Sequence, residues 1–220
     1  MIVMDDADLD LAVTLAAEGA YRNSGQRCTA VKRILVHQKI LDEFTARLVE
    51  KTKEYVCADP MAADTRVGTV IDEQSAKHLQ GVIQKATEQG ARVLIGGERR
   101  GAQLSPTVIA NVPREAEMVT IESFGPLAPV LPVENLDDAI DYANSTSFGL
   151  SSSIVTSNLA NAIHGIRRLR CGTVNVNEVP GFRIESTPFG GIKDSGLGVK
   201  EGVVESIKHL TSVKTFSLPW

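Results

Sequence analysis

Cysteine is scarce in this chain: three residues in 220, Cys28, Cys57 and Cys171, at irregular intervals. So few thiols build no disulfide framework. Without a Cys-x-x-Cys pair, and with only four scattered histidines, no zinc-ligand pattern exists either. The expectation is a reducing, cytoplasmic setting and no metal. Long apolar runs are also missing. No stretch approaches the roughly 18 apolar residues of a membrane span, and no basic-then-apolar leader opens the sequence, so neither a membrane nor a secretion role is expected. Positive charge is in deficit: 23 Lys and Arg against 27 Asp and Glu give a net charge of −4, and no basic cluster offsets it, which argues against nucleic acid as a partner. Neither a Gly-x-Gly-x-x-Gly phosphate loop nor a Walker A loop occurs.

What is present is an ordinary globular composition, 43% hydrophobic and 23% charged, on a chain long enough to bury most of its apolar surface. Met1 to Met4 reads as a strand end leading into a helix capped by Asp8, with Leu9, Ala12, Val13, Ala16 and Ala20 as its apolar stripe. Arg33 to His37 reads as a buried strand, Ile40 to Tyr55 as a helix, and Asp72 as the cap of a second long helix ended by Gly90. Strands follow at Ala91–Ile95, Pro106–Val112 and Leu127–Val133, where Pro129 and Pro132 suggest a bend or an edge position. Helices at Asn135–Asn144 and Asn158–Arg170 then alternate with strands at Gly149–Thr156 and Gly172–Asn177. Strands alternating with helices of this length predict an α/β fold, a mostly parallel sheet flanked by helices. From Ser206 to Leu218 the residues alternate with no helix following. That predicts a terminal strand, on the edge of the same sheet or given to a partner subunit.

Three glycine-containing loops carry the candidate chemistry. The first is Asn23-Ser-Gly-Gln-Arg-Cys-Thr-Ala30, in which Cys28 lies beside Arg27. A free thiol is only a few per cent thiolate at neutral pH, so adjacent positive charge makes it a better nucleophile. The second is Ile121-Glu-Ser-Phe-Gly-Pro126, which fixes a carboxylate and an aromatic ring at a Gly-Pro turn. The third is Pro188-Phe-Gly-Gly-Ile-Lys-Asp-Ser-Gly-Leu-Gly198, which permits tight turns and close backbone approach.

In order and wording these loops are similar to the catalytic half of the aldehyde dehydrogenase superfamily. The matching segments are Gly25-Gln-Arg-Cys-Thr29, Glu122-Ser-Phe-Gly-Pro126, Gly172-Thr-Val-Asn-Val-Asn177 and Pro188 to Gly196, so the resemblance runs over essentially the whole chain. It implies Cys28 as the nucleophile that attacks the aldehyde carbon, with its own N–H in the oxyanion hole. It implies Glu122 as the carboxylate for the nicotinamide-side ribose of NAD or NADP, Phe124 as the ring against that end of the cofactor, and Phe189 on the wall of the aldehyde tunnel. Residues 1–205 would form the catalytic domain and 206–220 an oligomerisation strand, with Ile207 to Leu218 crossing the interface of a homodimer or homotetramer. The family carries a second glutamate before the ribose-binding one, and here that position is Ile121. Its general-base glutamate sits in a Glu-Leu-Gly-Gly run just before Ile-Val-Met-Asp-Asp-Ala-Asp-Leu. These 220 residues hold neither that run nor the dinucleotide-binding half, so the chain alone is expected to be inactive.

Arg27 and Arg183, the latter in Gly181-Phe-Arg-Ile-Glu-Ser186, suit an anionic group through forked, charge-assisted hydrogen bonds. Equally, each fits a structural salt bridge, for Arg183 with Glu185 or a partner carboxylate. The C-terminal wording most resembles the phosphonoacetaldehyde-oxidising branch, which implies a small anionic aldehyde as substrate. Two other readings stay open. One is a cofactor-independent thiol esterase or acyltransferase, which needs a histidine base. The other is a non-catalytic oligomerisation module.

Overall fold

The computed structural model describes residues 1–219. In chain order it contains β1 (Ile2–Val3), α1 (Leu9–Tyr21), β2 (Ile34–His37), α2 (Leu41–Thr52), α3 (Glu73–Glu88), β3 (Arg92–Ile95), a small hairpin of β4 (Arg99–Arg100) and β5 (Gln103–Leu104), β6 (Thr107–Ala110), α4 (Glu117–Thr120), β7 (Leu127–Val133), α5 (Leu136–Asn144), β8 (Ser151–Val155), α6 (Leu159–Arg168), β9 (Thr173–Val176) and α7 (Val203–Leu210). Seven strands form one sheet in the order β3-β6-β7-β2-β1-β8-β9. All neighbours are parallel except β3, which runs antiparallel to β6. The helix starts follow the side-chain chemistry. Asp8 accepts from the N–H groups of Asp10 and Leu11, Asp72 from Ser75, Asn135 from Asp138, and Asn158 from Ala160 and Asn161, each satisfying donors that the first helical turn leaves open.

Successive residues of a strand feed opposite cores. Ile2, Leu35, Leu131 and Ile154 lie in register across β1, β2, β7 and β8 and pack with α3 and α5. Their neighbours Val3, Ile34, Val36, Val130 and Val155 face the other way, into α1 and α2 with Phe44 and Leu48. A sheet buried on both faces reads as continuous apolar strands, and Ile34-Leu-Val36 is such a run.

Two expectations need correction. Pro129 and Pro132 lie in β7, an interior strand between β6 and β2. Each proline removes a single ladder donor, and burial of the strand on both faces outweighs that loss; Pro132 sits at an exposed position and its carbonyl accepts from Arg114 at 3.2 Å. The terminal strand expected from Ser206 is also not formed at its start, because Val203 to Leu210 is helix. Val203, Ile207 and Leu210 repeat at helical spacing, a period hidden when the pattern is read from Ser206. Residues 211–219 adopt neither helix nor strand and are exposed, and they do not join the edge of the sheet. Trp220, the last residue of the expected strand, lies outside the described residues.

Candidate active site

Cys28 lies between α1 and β2, just after a turn in which Asn23, Ser24 and Gly25 all have left-handed backbones, with φ of 56°, 55° and 69°. Asparagine and glycine adopt this conformation readily, but serine does not, so the turn stores strain next to the thiol. It is held from outside. The Gln26 side chain donates to Thr69 O at 3.2 Å and accepts from Ile71 N at 2.7 Å, clamping the loop to the segment before α3. Gly25 packs directly on the Gly125 carbonyl, where no Cβ would fit, and this brings the Cys28 loop against the Glu122 loop. The Cys28 thiol is exposed and unbridged, and its N–H has no acceptor among the described residues.

The two loops precede β2 and β7, which are parallel neighbours, so both sit at the amino-terminal ends of adjacent strands. A cavity of about 460 Å³ opens there, lined by Cys28, Lys32, Glu122 and Phe189 together with the segments leading into β1, β8 and β9. Three of the expected residues, Cys28, Glu122 and Phe189, thus share one space. Phe124 is exposed in the same loop as Glu122, and the Lys32 ammonium sits 4.2 Å from its ring centre. Glu122 carries acceptors only, as a partner for two ribose hydroxyls requires, and an exposed ring stands beside it. A carboxylate beside an exposed ring is chemistry that the ribose end of a dinucleotide fits.

The arginines are placed differently. Arg183 lies over the Phe189 ring, 4.6 Å from its centre, with its guanidinium 4.0 Å from Glu201. Its carboxylate neighbour is therefore Glu201 and not Glu185. Phe189 and Glu201 also exchange main-chain hydrogen bonds of 2.8 and 2.6 Å, an isolated antiparallel bridge that joins the two sides of that loop. Arg27 does not line the cavity. Burial, followed by the nearby charge of Arg22, lowers its pKa from the ordinary value, and its Nε is buried with no hydrogen-bond partner among the described residues.

Other residues of the site escaped the motif reading. Lys32 Nζ donates to Gly25 O at 3.3 Å and to Ser123 O at 3.2 Å, and lies 3.6 Å from the Glu122 carboxylate. Burial lowers its pKa below the ordinary 10.5, while Glu122 pulls it back up. Asn175 donates to Val179 O at 2.8 Å and Phe182 O at 3.0 Å, knotting the loop that carries Arg183. Lys32 stands beside Arg33 ahead of the apolar strand Ile34 to Val36, and Asn175 lies in the matching segment Gly172 to Asn177, but neither was assigned a role. No histidine lines the cavity and, among the described residues, no cluster suited to a metal exists. A thiol hydrolase relying on histidine has no base here. Nor is any described helix long and apolar enough to cross a membrane.

The model of the aldehyde dehydrogenase family matches residues 1–216. The chain belongs to the aldehyde dehydrogenase family. Among its relatives, the sulfoacetaldehyde dehydrogenase of Neptuniibacter caesariensis is 40% identical over 98% of this chain and 47% of its own length. A lactaldehyde dehydrogenase of Methanococcus maripaludis is 35% identical over 98% and 46%. The structure of the glyceraldehyde-3-phosphate dehydrogenase GapN from Methanocaldococcus jannaschii, complexed with NADP, superposes with a TM-score of 0.93 at 35% identity, over 97% of this chain and 46% of that one. The chain therefore spans about half the length of these aldehyde dehydrogenases.

Proposed function

We propose that this chain is the nucleophile-bearing half of an NAD(P)-dependent aldehyde dehydrogenase that oxidises a small aldehyde carrying an anionic group. The opening of the Cys28 and Glu122 loops into one cavity carries the reading. Cys28 Sγ adds to the aldehyde carbon to give a thiohemiacetal, and the Cys28 N–H, free of other acceptors, donates to the oxygen that gains charge. When bound, the nicotinamide of NAD or NADP accepts the hydride released from that carbon. The acyl group stays on Cys28 as a thioester until water frees the acid. Glu122 accepts the hydroxyls of the neighbouring ribose, Phe124 packs against that end, and Phe189 lines the aldehyde side.

The anionic substrate is supported by Arg183, whose guanidinium lies over the ring of the cavity-lining Phe189; Arg27, which does not line the cavity, lends it no support. The names of the relatives, sulfoacetaldehyde and lactaldehyde dehydrogenases, point to the same size of substrate. Phosphonoacetaldehyde is the specific substrate we put forward. The test follows NAD(P)H formation with phosphonoacetaldehyde, sulfoacetaldehyde, lactaldehyde and propanal, using residues 1–220 alone and the same chain joined to the upstream half that its relatives carry. We expect no turnover from residues 1–220. The joined protein should prefer the anionic aldehydes and lose turnover by a factor of at least about 10³ in Cys28→Ala. Turnover that survives Cys28→Ala would overturn the nucleophile assignment, and equal rates on propanal would remove the substrate reading.

A further inference from the structure

We propose that Lys32 is the positioning residue of the nucleophile: one ammonium ties the Cys28 loop to the Glu122 loop across the mouth of the cavity. The inference rests on reading Cys28 as the nucleophile. An ammonium has three protons to give. Two go to the Gly25 and Ser123 carbonyls, at 3.3 and 3.2 Å, and the third faces the Glu122 carboxylate at 3.6 Å, while the Phe124 ring, 4.2 Å away, takes up the remaining side. Gly25 stands three residues before Cys28, and Ser123 lies between the two cofactor-side residues. The Gly25–Gly125 approach already brings the loops to backbone contact. Two carbonyls and a carboxylate converging there repel one another unless a cation sits among them. Among the described residues Lys32 is the only cation paired with Glu122.

Lys32 and Cys28 line the same cavity, so the ammonium that ties the loops also shares the surroundings of the thiol. Other charged and titratable groups line the same cavity: Arg33, Arg170 and Asp194, with the Met1 amine and the Cys171 thiol. From the side of α1, Glu18 and Arg22 act on Arg27, the immediate neighbour of Cys28. Lys32 is distinguished from these by bonding both loops at once.

The test measures alkylation of Cys28 by iodoacetamide, read at the peptide level from about pH 6 to about pH 9, in the wild-type chain and in Lys32→Met, Lys32→Gln and Lys32→Arg. Melting curves report separately on folding. In the two neutral variants we expect alkylation of Cys28 at neutral pH to slow about three- to tenfold, with Lys32→Arg within about twofold of wild type. Neutral variants that melt lower yet keep the wild-type profile would reduce Lys32 to packing and overturn the proposal. A Lys32→Arg profile matching Lys32→Met would overturn it as well. Turnover surviving Cys28→Ala in the joined protein sinks the nucleophile reading and this inference together. Loss of turnover there, with an unshifted Lys32→Met profile, sinks this inference alone.

Discussion

At the scale of single residues, Gly25 is where the site is least tolerant. Its φ of 69° costs an L side chain roughly 1–2 kcal/mol, and a Cβ would run into the Gly125 carbonyl. Gly25→Ala is therefore expected to lower stability by at least ~2 kcal/mol in chemical denaturation and to part the two loops. Arg183 tests specificity. If its guanidinium receives the anionic group, Arg183→Ala in the joined protein raises KM for phosphonoacetaldehyde about tenfold or more while that for propanal stays within about twofold. Equal changes for both substrates would mean that Arg183 serves only to hold Phe189 and Glu201. Cys28, Glu122 and Phe189 were legible in the sequence because each is embedded in a worded loop. The roles of Lys32 and Asn175 were not, even though Asn175 lies in a matching segment, because they depend on which carbonyls the side chains reach, and sequence spacing does not report carbonyl directions.

At the scale of elements, the helix starts were legible because capping is local: Asp8, Asp72, Asn135 and Asn158 sit two or three residues from the N–H groups they satisfy. The link between β7 and α5 was not. Arg114 grips Asp138 with two hydrogen bonds of 2.7 and 2.8 Å, and Glu134 N donates to the same carboxylate at 3.0 Å. The Arg114 hydrogen bond, foremost, holds Asp138 below its ordinary pKa of 3.8. A carboxylate with a lowered folded pKa contributes stability that is fully present above about pH 4 and is lost as pH falls through the lowered value. Asp138→Asn should cost about 1–2 kcal/mol at pH 7, a figure already reduced for the partial exposure of Arg114. Urea denaturation at about pH 7 and about pH 3 should show that difference shrinking in acid. A difference that stays constant would mean that the pair contributes through shape and not charge. α7 shows the reverse failure of legibility. Its start at Val203 was missed because a window opened at Ser206 splits the helical repeat and leaves an alternation.

At the scale of the whole molecule, α7 and the residues after it leave much apolar surface uncovered, with Val213, Phe216 and Leu218 96%, 81% and 60% exposed. We propose residues 206–220 as an oligomerisation segment, whose described part is the end of α7 followed by the exposed residues 211–219, in neither helix nor strand. Removing residues 213–220 is expected to leave the melting temperature of the dilute chain within about 2 °C, since the tail adds little to the core. The same deletion should reduce self-association in analytical ultracentrifugation. A large drop in melting temperature would show instead that the tail belongs to the fold.

The sequence by itself determined the family, the α/β alternation and the helix starts, and it singled out Cys28 as the nucleophile we propose, because each is written in neighbouring residues. Tertiary structure alone decided where those residues meet. Open parallel sheets usually bind ligands at the carboxyl ends of their strands, yet the Cys28 and Glu122 loops converge at the amino ends of β2 and β7. That meeting depends on strand order, on a glycine lying against a carbonyl, and on one lysine between two loops. None of these leaves a mark in a linear pattern, because they join residues about a hundred positions apart.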